Sequence, residues 1–126
     1  MTLATKTAGR DDVRAGILNA SLALMNEGGL GALSMREVAR RAGVSHQAPY
    51  HYFDDREAIL AELAGEGFDK LHDYMVSALG HARDRRSRAQ AIGEAYIRFA
   101  LNHQEVFKLM FRCEMCDLSR YPDAKA

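Results

Sequence analysis

The stretch Ser34–Glu57, SMREVARRAGVSHQAPYHYFDDRE, holds two short helical patterns joined by a Gly-Val-Ser turn. Ser34 and Glu37 spell S-x-x-E, a capping box in which the hydroxyl accepts an orphan N–H three residues on and the carboxylate reaches back. Leu33 before the cap and Val38 four residues into the helix are spaced for a hydrophobic staple. Gly43 supplies the turn, Val44 an apolar plug and Ser45 a second cap. The segment that follows, HQAPYHYF, crowds its hydrogen-bonding side chains into a first turn. This is the layout of a helix-turn-helix, whose second helix sets its N-terminal side chains against base edges in the major groove.

Outward from that stretch, every patterned segment has helical period. Residues Asp11 to Glu27 place Val13, Ile17, Ala20 and Leu24 on one stripe, with Leu18 and Met25 beside it, and Gly28-Gly29 predicts the stop. Asp54 or Asp55 caps a longer helix with Glu57 in its first turn. Its apolar face is Leu60, Leu63, Ala64, Gly67, Leu71, Tyr74, Met75 and Ala78, and its end is expected near Gly80. His81–Arg86 reads as a charged connection. Ser87 with Gln90 predicts another capping box, opening a helix whose stripe is Ile92, Tyr96, Phe99 and Ala100. Asn102 with Glu105, flanked by Leu101 and Val106 as a staple, predicts a break and a last short helix to about Arg112. Beyond Cys113 the pattern fades, and Pro122 ends any helix nearby. No segment alternates with period two, so the expected class is all-α.

The bulk numbers exclude several classes. With 126 residues, 48% of them apolar and 27% charged, the chain has the makings of an ordinary globular core and not of a disordered segment. It has no apolar run near the ~18 residues of a membrane span, and Met1–Arg10 lacks the apolar centre of a signal peptide, so a cytoplasmic location and no membrane partner are expected. Met1–Gly9 is small, polar and unpatterned, and residues 1–10 are read as a flexible arm. Net charge is zero. Within the first sixty residues Lys6, Arg10, Arg14, Arg36, Arg40, Arg41 and Arg56 are balanced by Asp11, Asp12, Glu27, Glu37, Asp54, Asp55 and Glu57. A DNA reading therefore rests on local placement, since the usual basic footprint is missing.

The residues GVSHQAPYHYFDDREAIL, preceded by SMREVARRA and a first helix, resemble the DNA-binding domain of the tetracycline-repressor (TetR) family of bacterial transcription regulators. The resemblance covers about residues 11–65, through Gly-Val-Ser at the turn, the Y-x-x-F of Tyr50 and Phe53, and a basic residue followed by Glu at the head of the next helix. Residues 88–112, with AYIRFALNHQEVFKLMF, further resemble early ligand-domain helices of one subgroup. The resemblance makes the segment of about 45–53 the recognition helix. It implies phosphate contacts from Tyr50, from Arg56 (most members carry Lys there, and Arg keeps the charge) and from Arg36. Pro49 departs from an ideal helix and is expected to distort or delay it. Family members carry further helices, the last two forming the dimer interface, so residues 57–126 are expected to be a ligand-binding and regulatory domain incomplete relative to the family.

Among single residues, Gln47 is the best base reader, because its amide pairs bidentately with adenine N6 and N7. His46 and His51 are placed to touch bases or phosphates, and Ala48 with Pro49 to pack on a thymine methyl; Ser45 completes the set. The plainer alternative is a capped surface helix. Tyr52 and Phe53 read as support and core rather than as a stacking patch. Phe68, Leu71, Met75, Tyr96, Phe99, Phe107, Met110 and Phe111 form either an effector pocket, as the family implies, or plain core. Cys113 and Cys116 form one C-x-x-C, read as packing, with a thiol- or metal-sensing regulator as the alternative. No residue set meets the geometric roles of a catalytic site, so no enzyme activity, metal or cofactor is expected.

The expected protein is thus a TetR-type ligand-responsive regulator, most simply a repressor. It would bind a palindromic double-stranded operator as a homodimer and be released by a small-molecule effector. A non-DNA helical interaction module is the remaining alternative. Domain boundaries are expected at 11–56 for the DNA-binding head and 57–126 for the regulatory part.

Overall fold

The computed structural model describes residues 9–112. The N-terminal arm up to Ala8, together with Cys113, Cys116 and Pro122, lies outside the described residues. In order come α1 (Arg10–Gly28), a 3-10 turn (Leu30–Ala32), α2 (Met35–Ala42), a second 3-10 turn (Ala48–His51), α3 (Arg56–Leu79), α4 (Arg85–Asn102) and α5 (Gln104–Met110). The described residues contain no strand, and none of their helices is long and apolar enough to cross a membrane. The chain divides into two compact units meeting at Leu63 and Ala64, inside the continuous helix α3.

The first unit is built by termination signals as much as by apolar stripes. Gly29, at φ 78°, ends α1 and donates its N–H to the Met25 carbonyl at 2.7 Å. Ser34 caps α2, its hydroxyl accepting the Glu37 N–H at 3.1 Å. The other half of the expected capping box is replaced, because the Glu37 carboxylate receives Arg40 Nη2 at 2.8 Å and Nε at 3.1 Å instead of turning back. At the far end Gly43 takes the left-handed conformation, φ 73°. Its N–H reaches the Arg40 carbonyl (3.2 Å) while the Val44 N–H reaches Ala39 (3.0 Å), the two bonds of a Schellman motif. The core they frame holds Ile17, Met25, Leu33, Val38, Ile59 and Leu60, each no more than 1% exposed. The sequence stripes contained Ile17, Met25 and Leu60, the expected staple Leu33 and Val38, and neither contained Ile59. Among the described residues the one buried polar side chain, Ser21, donates to the Ile17 carbonyl at 2.8 Å.

In the second unit, α4 is capped by Asp84, which accepts the Ser87 N–H at 2.8 Å, so the helix begins ahead of the predicted Ser87 cap. Gln90 donates to Glu94 instead of completing a box. The buried stripe of α4 is Ala95 and Phe99; Ile92 and Tyr96 are 38% and 37% exposed, a rotation away from the expected stripe. The break near Asn102 occurs as expected, but Leu101 is 65% exposed, and α5 has no side-chain cap at its start. Leu71, Phe99, Val106, Leu109 and Met110 form the core of this unit. Buried Gly67 lets α5 approach α3: a Cβ there would sit 2.6 Å from Val106 Cγ1 and 2.7 Å from Met110 Sδ.

Candidate nucleic-acid interface

The reading segment is a turn with one short helical piece. From Ser45 to Phe53 the hydrogen bonds run Ala48 N–H to Ser45 carbonyl (3.0 Å), Tyr50 to Gln47 (3.0 Å) and Tyr52 to Pro49 (3.1 Å), all of the i→i+3 type. The Phe53 N–H also reaches Pro49, at 2.9 Å. The predicted helix over about 45–53 is thus a 3-10 turn of four residues, Ala48–His51, because Pro49 near its start has no N–H to give to an α-type ladder. Ser45 serves through its carbonyl rather than as a side-chain cap.

Pro49 itself is fully buried, and this overturns its assignment as a contact to a thymine methyl. Its ring faces the core, where the Phe53 side chain, 4% exposed, is also held, with the Arg14 guanidinium 5.1 Å above the Phe53 ring. Tyr52 and Ala48 are half-buried beside them. Burial of Pro49 and Phe53 fixes the turn, and the side chains left outside are Ser45, His46, Gln47, Tyr50 and His51, all exposed; Tyr50 is 48% exposed. Sequence reasoning placed these residues together, and the structure gathers them on one short exposed segment.

The arginines divide by occupation. On α2, Arg40 is tied to Glu37, and Arg41 forks onto Glu27 of α1 with two bonds of 2.7 and 2.8 Å. The hydrogen bond from Arg41 holds the Glu27 carboxyl below the ordinary carboxylate range, and that from Arg40 does the same for Glu37. Arg36 is exposed and makes no hydrogen bond or ion pair among the described residues. Of the three α2 arginines it alone is free to meet an anion. The family resemblance had singled out Arg36; what it did not show is that Arg40 and Arg41 are occupied by Glu37 and Glu27.

Arg56 has a structural occupation that sequence reading missed. Its guanidinium donates through Nε to the Leu33 carbonyl and through Nη2 to the Leu30 carbonyl, both at 2.6 Å, and Nη1 lies 3.7 Å from Glu57. A planar fork bridging two carbonyls joins the head of α3 to the ends of the 3-10 turn before α2. A lysine at this position has one ammonium where the structure uses two separate nitrogens. The helix then continues from Asp55, whose carboxylate accepts the Ala58 N–H at 2.9 Å, settling the choice between Asp54 and Asp55.

The residues expected to line an effector pocket are all in the second unit, but they contact one another. Phe111 stands 5.5 Å from Phe68 and 5.0 Å from Phe107, and Phe107 is 5.5 Å from Tyr96 and 6.4 Å from Phe99. Leu71, Phe99 and Met110 are buried, Met75 and Phe107 are half-buried, and Phe68, Tyr96 and Phe111 keep 45%, 37% and 48% of their surface exposed. A groove of about 310 Å³ in this unit is lined by different residues, among them Ala78, His81, Ser87, Gln90, Glu94 and Arg98. The described residues contain no cluster of three or more His, Cys, Asp or Glu fit to hold a metal ion.

Comparison with known proteins agrees with the head. A family profile described as bacterial regulatory proteins, tetR family, matches residues 17–63. The chain is 34% identical over 79 residues to the HTH-type transcriptional regulator BetI of Rhizobium meliloti, covering 63% of this chain and 39% of that one. It is 30% identical over 88 residues to the tetracycline repressor protein class D of Escherichia coli, covering 68% and 40%. A solved structure of a protein with unknown function from Rhodococcus sp. RHA1 superposes with a TM-score of 0.74 at 38% identity, covering 83% of this chain and 54% of the other. The chain thus spans about two fifths of the length of these curated relatives. Residues 17–63, with their buried turn and paired caps, thus form a domain of the tetR family of bacterial regulatory proteins.

Proposed function

We propose that this chain binds duplex DNA through the segment Ser45–His51 and regulates transcription, as a repressor acting in pairs on a palindromic operator. The observation that carries the reading is the division of side chains on that segment. Pro49 and Phe53 anchor it from below, while Ser45, His46, Gln47, Tyr50 and His51 face outward. Gln47 offers the donor and acceptor pair that matches adenine, Tyr50 a hydroxyl for a phosphate, and unpaired Arg36 a charge for a second phosphate. Two heads one helical turn apart on the duplex would read a two-fold symmetric site.

Release by a small-molecule effector is the finer part of the proposal. It is supported by the aromatic row of the second unit, whose members Phe68, Tyr96 and Phe111 present a partly exposed wall. Such an effector acts only by preferring one of two states of the protein, since equal affinity for both shifts nothing.

Duplexes selected from a random pool by the chain at low salt provide the test. Gln47→Ala should relax the preference at one base position, with a discrimination loss of about 1–3 kcal/mol. Arg36→Ala should weaken all duplexes alike and reduce the salt slope by about 0.9 per lost phosphate contact. Retention of no duplex at low salt, where phosphate contacts are strongest, sinks the proposal.

A further inference from the structure

Three arginines of the first unit bridge its own elements. Arg41 joins α2 to Glu27 of α1, and Arg56 joins the head of α3 to the Leu30 and Leu33 carbonyls. The third, Arg14 of α1, reaches two elements at once. Its Nη2 stands 3.1 Å from Glu62 Oε1 on α3, and its guanidinium carbon lies 5.1 Å from the centre of the Phe53 ring. A planar cation suits this double role, since its face is attracted to a ring while its edge nitrogens meet a carboxylate. Arg14 and Glu62 are half-buried, and the Phe53 side chain they shelter is buried. All three residues belong to the first unit.

The place of Phe53 in the chain gives this contact its consequence. Phe53 closes the reading segment, its N–H donating to the Pro49 carbonyl at 2.9 Å. The remaining backbone bonds there, Ala48 to Ser45, Tyr50 to Gln47 and Tyr52 to Pro49, are local. Local bonds fix the shape of a turn but not where the turn sits on its helices. The side chains of Ser45, His46, Gln47, Tyr50 and His51 add no hydrogen bond or ion pair among the described residues. The position of the segment therefore depends on what holds Pro49 and Phe53 from behind. We propose that Arg14 is a positioning residue for DNA reading: it pins Phe53, and with it the segment Ser45–His51, to α1 and α3 without touching DNA itself. This inference rests on the DNA-binding reading above and adds to it a residue behind the reading surface. Without Arg14 the turn keeps its shape but samples displaced positions, and affinity falls with the fraction of molecules still in register. Because the ion pair is partly solvated, the loss is bounded at roughly tenfold.

Titration of a duplex recovered from the random pool, at several salt concentrations and with each variant checked for folding by circular dichroism, reads the outcome. Arg14→Gln should lower affinity by roughly five- to tenfold with the salt slope unchanged, whereas loss of a direct phosphate contact would reduce that slope by about 0.9. Glu62→Gln decides by sign. Removing a carboxylate from an arginine that binds phosphate would tighten binding; releasing a positioning arginine from its anchor should weaken it by about two- to threefold. The double variant should bind no worse than Arg14→Gln alone, because both changes act through one contact. Arg14→Lys, which keeps the charge and loses the planar fork, should recover part of the loss. Hydrogen exchange without DNA gives the second readout: Arg14→Gln should speed the Tyr50, Tyr52 and Phe53 amides several-fold more than those inside α1. Unchanged affinity overturns the inference, and so does a reduced salt slope or tighter binding by Glu62→Gln, which would make Arg14 a phosphate contact. Exchange that rises equally in every helix overturns it by making Arg14 a stabiliser of the whole unit. Failure of the wild-type chain to retain any duplex would overturn the DNA-binding reading, and the exchange rates would still uphold or overturn the pinning of the turn.

Discussion

Within residues 17–63 the large aliphatic side chains turn inward with little remainder: Ile17, Leu33, Val38, Ile59 and Leu60 are all 0–1% exposed, and what lies outside on the reading turn is polar or phenolic. Within residues 64–112 the same kinds of side chain are split. Phe99 is fully buried two residues from Leu101, which is 65% exposed, and Phe68, Val76, Ile92, Ile97 and Phe111 are also on the surface. The first unit closes its own core with few residues because two left-handed glycines and two carboxylate or hydroxyl caps fold its helices back sharply. The second has long helices and fewer of them to cover one another. A head that closes its own core is thus joined, through one continuous helix, to a unit that leaves much of its apolar side-chain surface exposed.

The sharpest way to break this contrast lies on a single helix. Phe99→Ala removes a ring packed against Tyr74, His103 and Phe107, and should cost about 3–5 kcal/mol in urea unfolding. Leu101→Gln, two residues on, should stay within about 0.5 kcal/mol. Comparable losses at the two positions would mean that α4 is covered on both sides within the chain.

Arg56→Gln tests the head with the next largest effect. It removes a charged donor from the Leu30 and Leu33 carbonyls, and the loss in stability should be on the order of 1–3 kcal/mol. If Arg56 acted only on phosphate, as the family resemblance implied, stability would hold while the salt dependence of DNA binding fell.

The smallest expected effect is a pH dependence confined to the second unit. Burial, and then the charge of Lys70, hold the His103 imidazole below its ordinary range. His103 Nε2 lies 3.2 Å from the Tyr74 hydroxyl, which in turn accepts the Asn102 amide at 3.3 Å. Above the ordinary imidazole pKa both folded and unfolded chains are neutral here, and the full stability is present. As pH falls from that value toward the depressed folded pKa, the unfolded chain takes the proton first and stability declines. His103→Asn should flatten this slope; an unchanged slope would assign it to another group.

Much of the head was legible in advance because its signals are local. Ser34, Gly43 and Gly28-Gly29 act on neighbours within a few residues, and the sequence carries that geometry in its spacing. The reading turn was legible in membership and wrong in form: Pro49 was seen to disturb a helix, but whether its ring faces DNA or core depends on side chains elsewhere in the fold. Arg56 and the α2 arginines show the same limit, since their partners at Leu30, Leu33 and Glu27 lie 14 to 26 residues away. On α4 the period was read correctly and the phase was not. An amphipathic pattern with Ile, Tyr, Phe and Leu all round offers several stripes, and only tertiary packing chooses Ala95 and Phe99.

The buried Pro49 has a consequence for how this protein can change. Because the ring and Phe53 hold the turn from inside, the outward positions 45, 46, 47, 50 and 51 bear little of the fold's packing. Their side chains can be exchanged almost as type in a fixed frame, so, on the DNA-binding reading proposed above, a new target sequence can be acquired without a new structure. The frame itself has no such freedom: change is confined to the five outward positions, while the buried pair must stay.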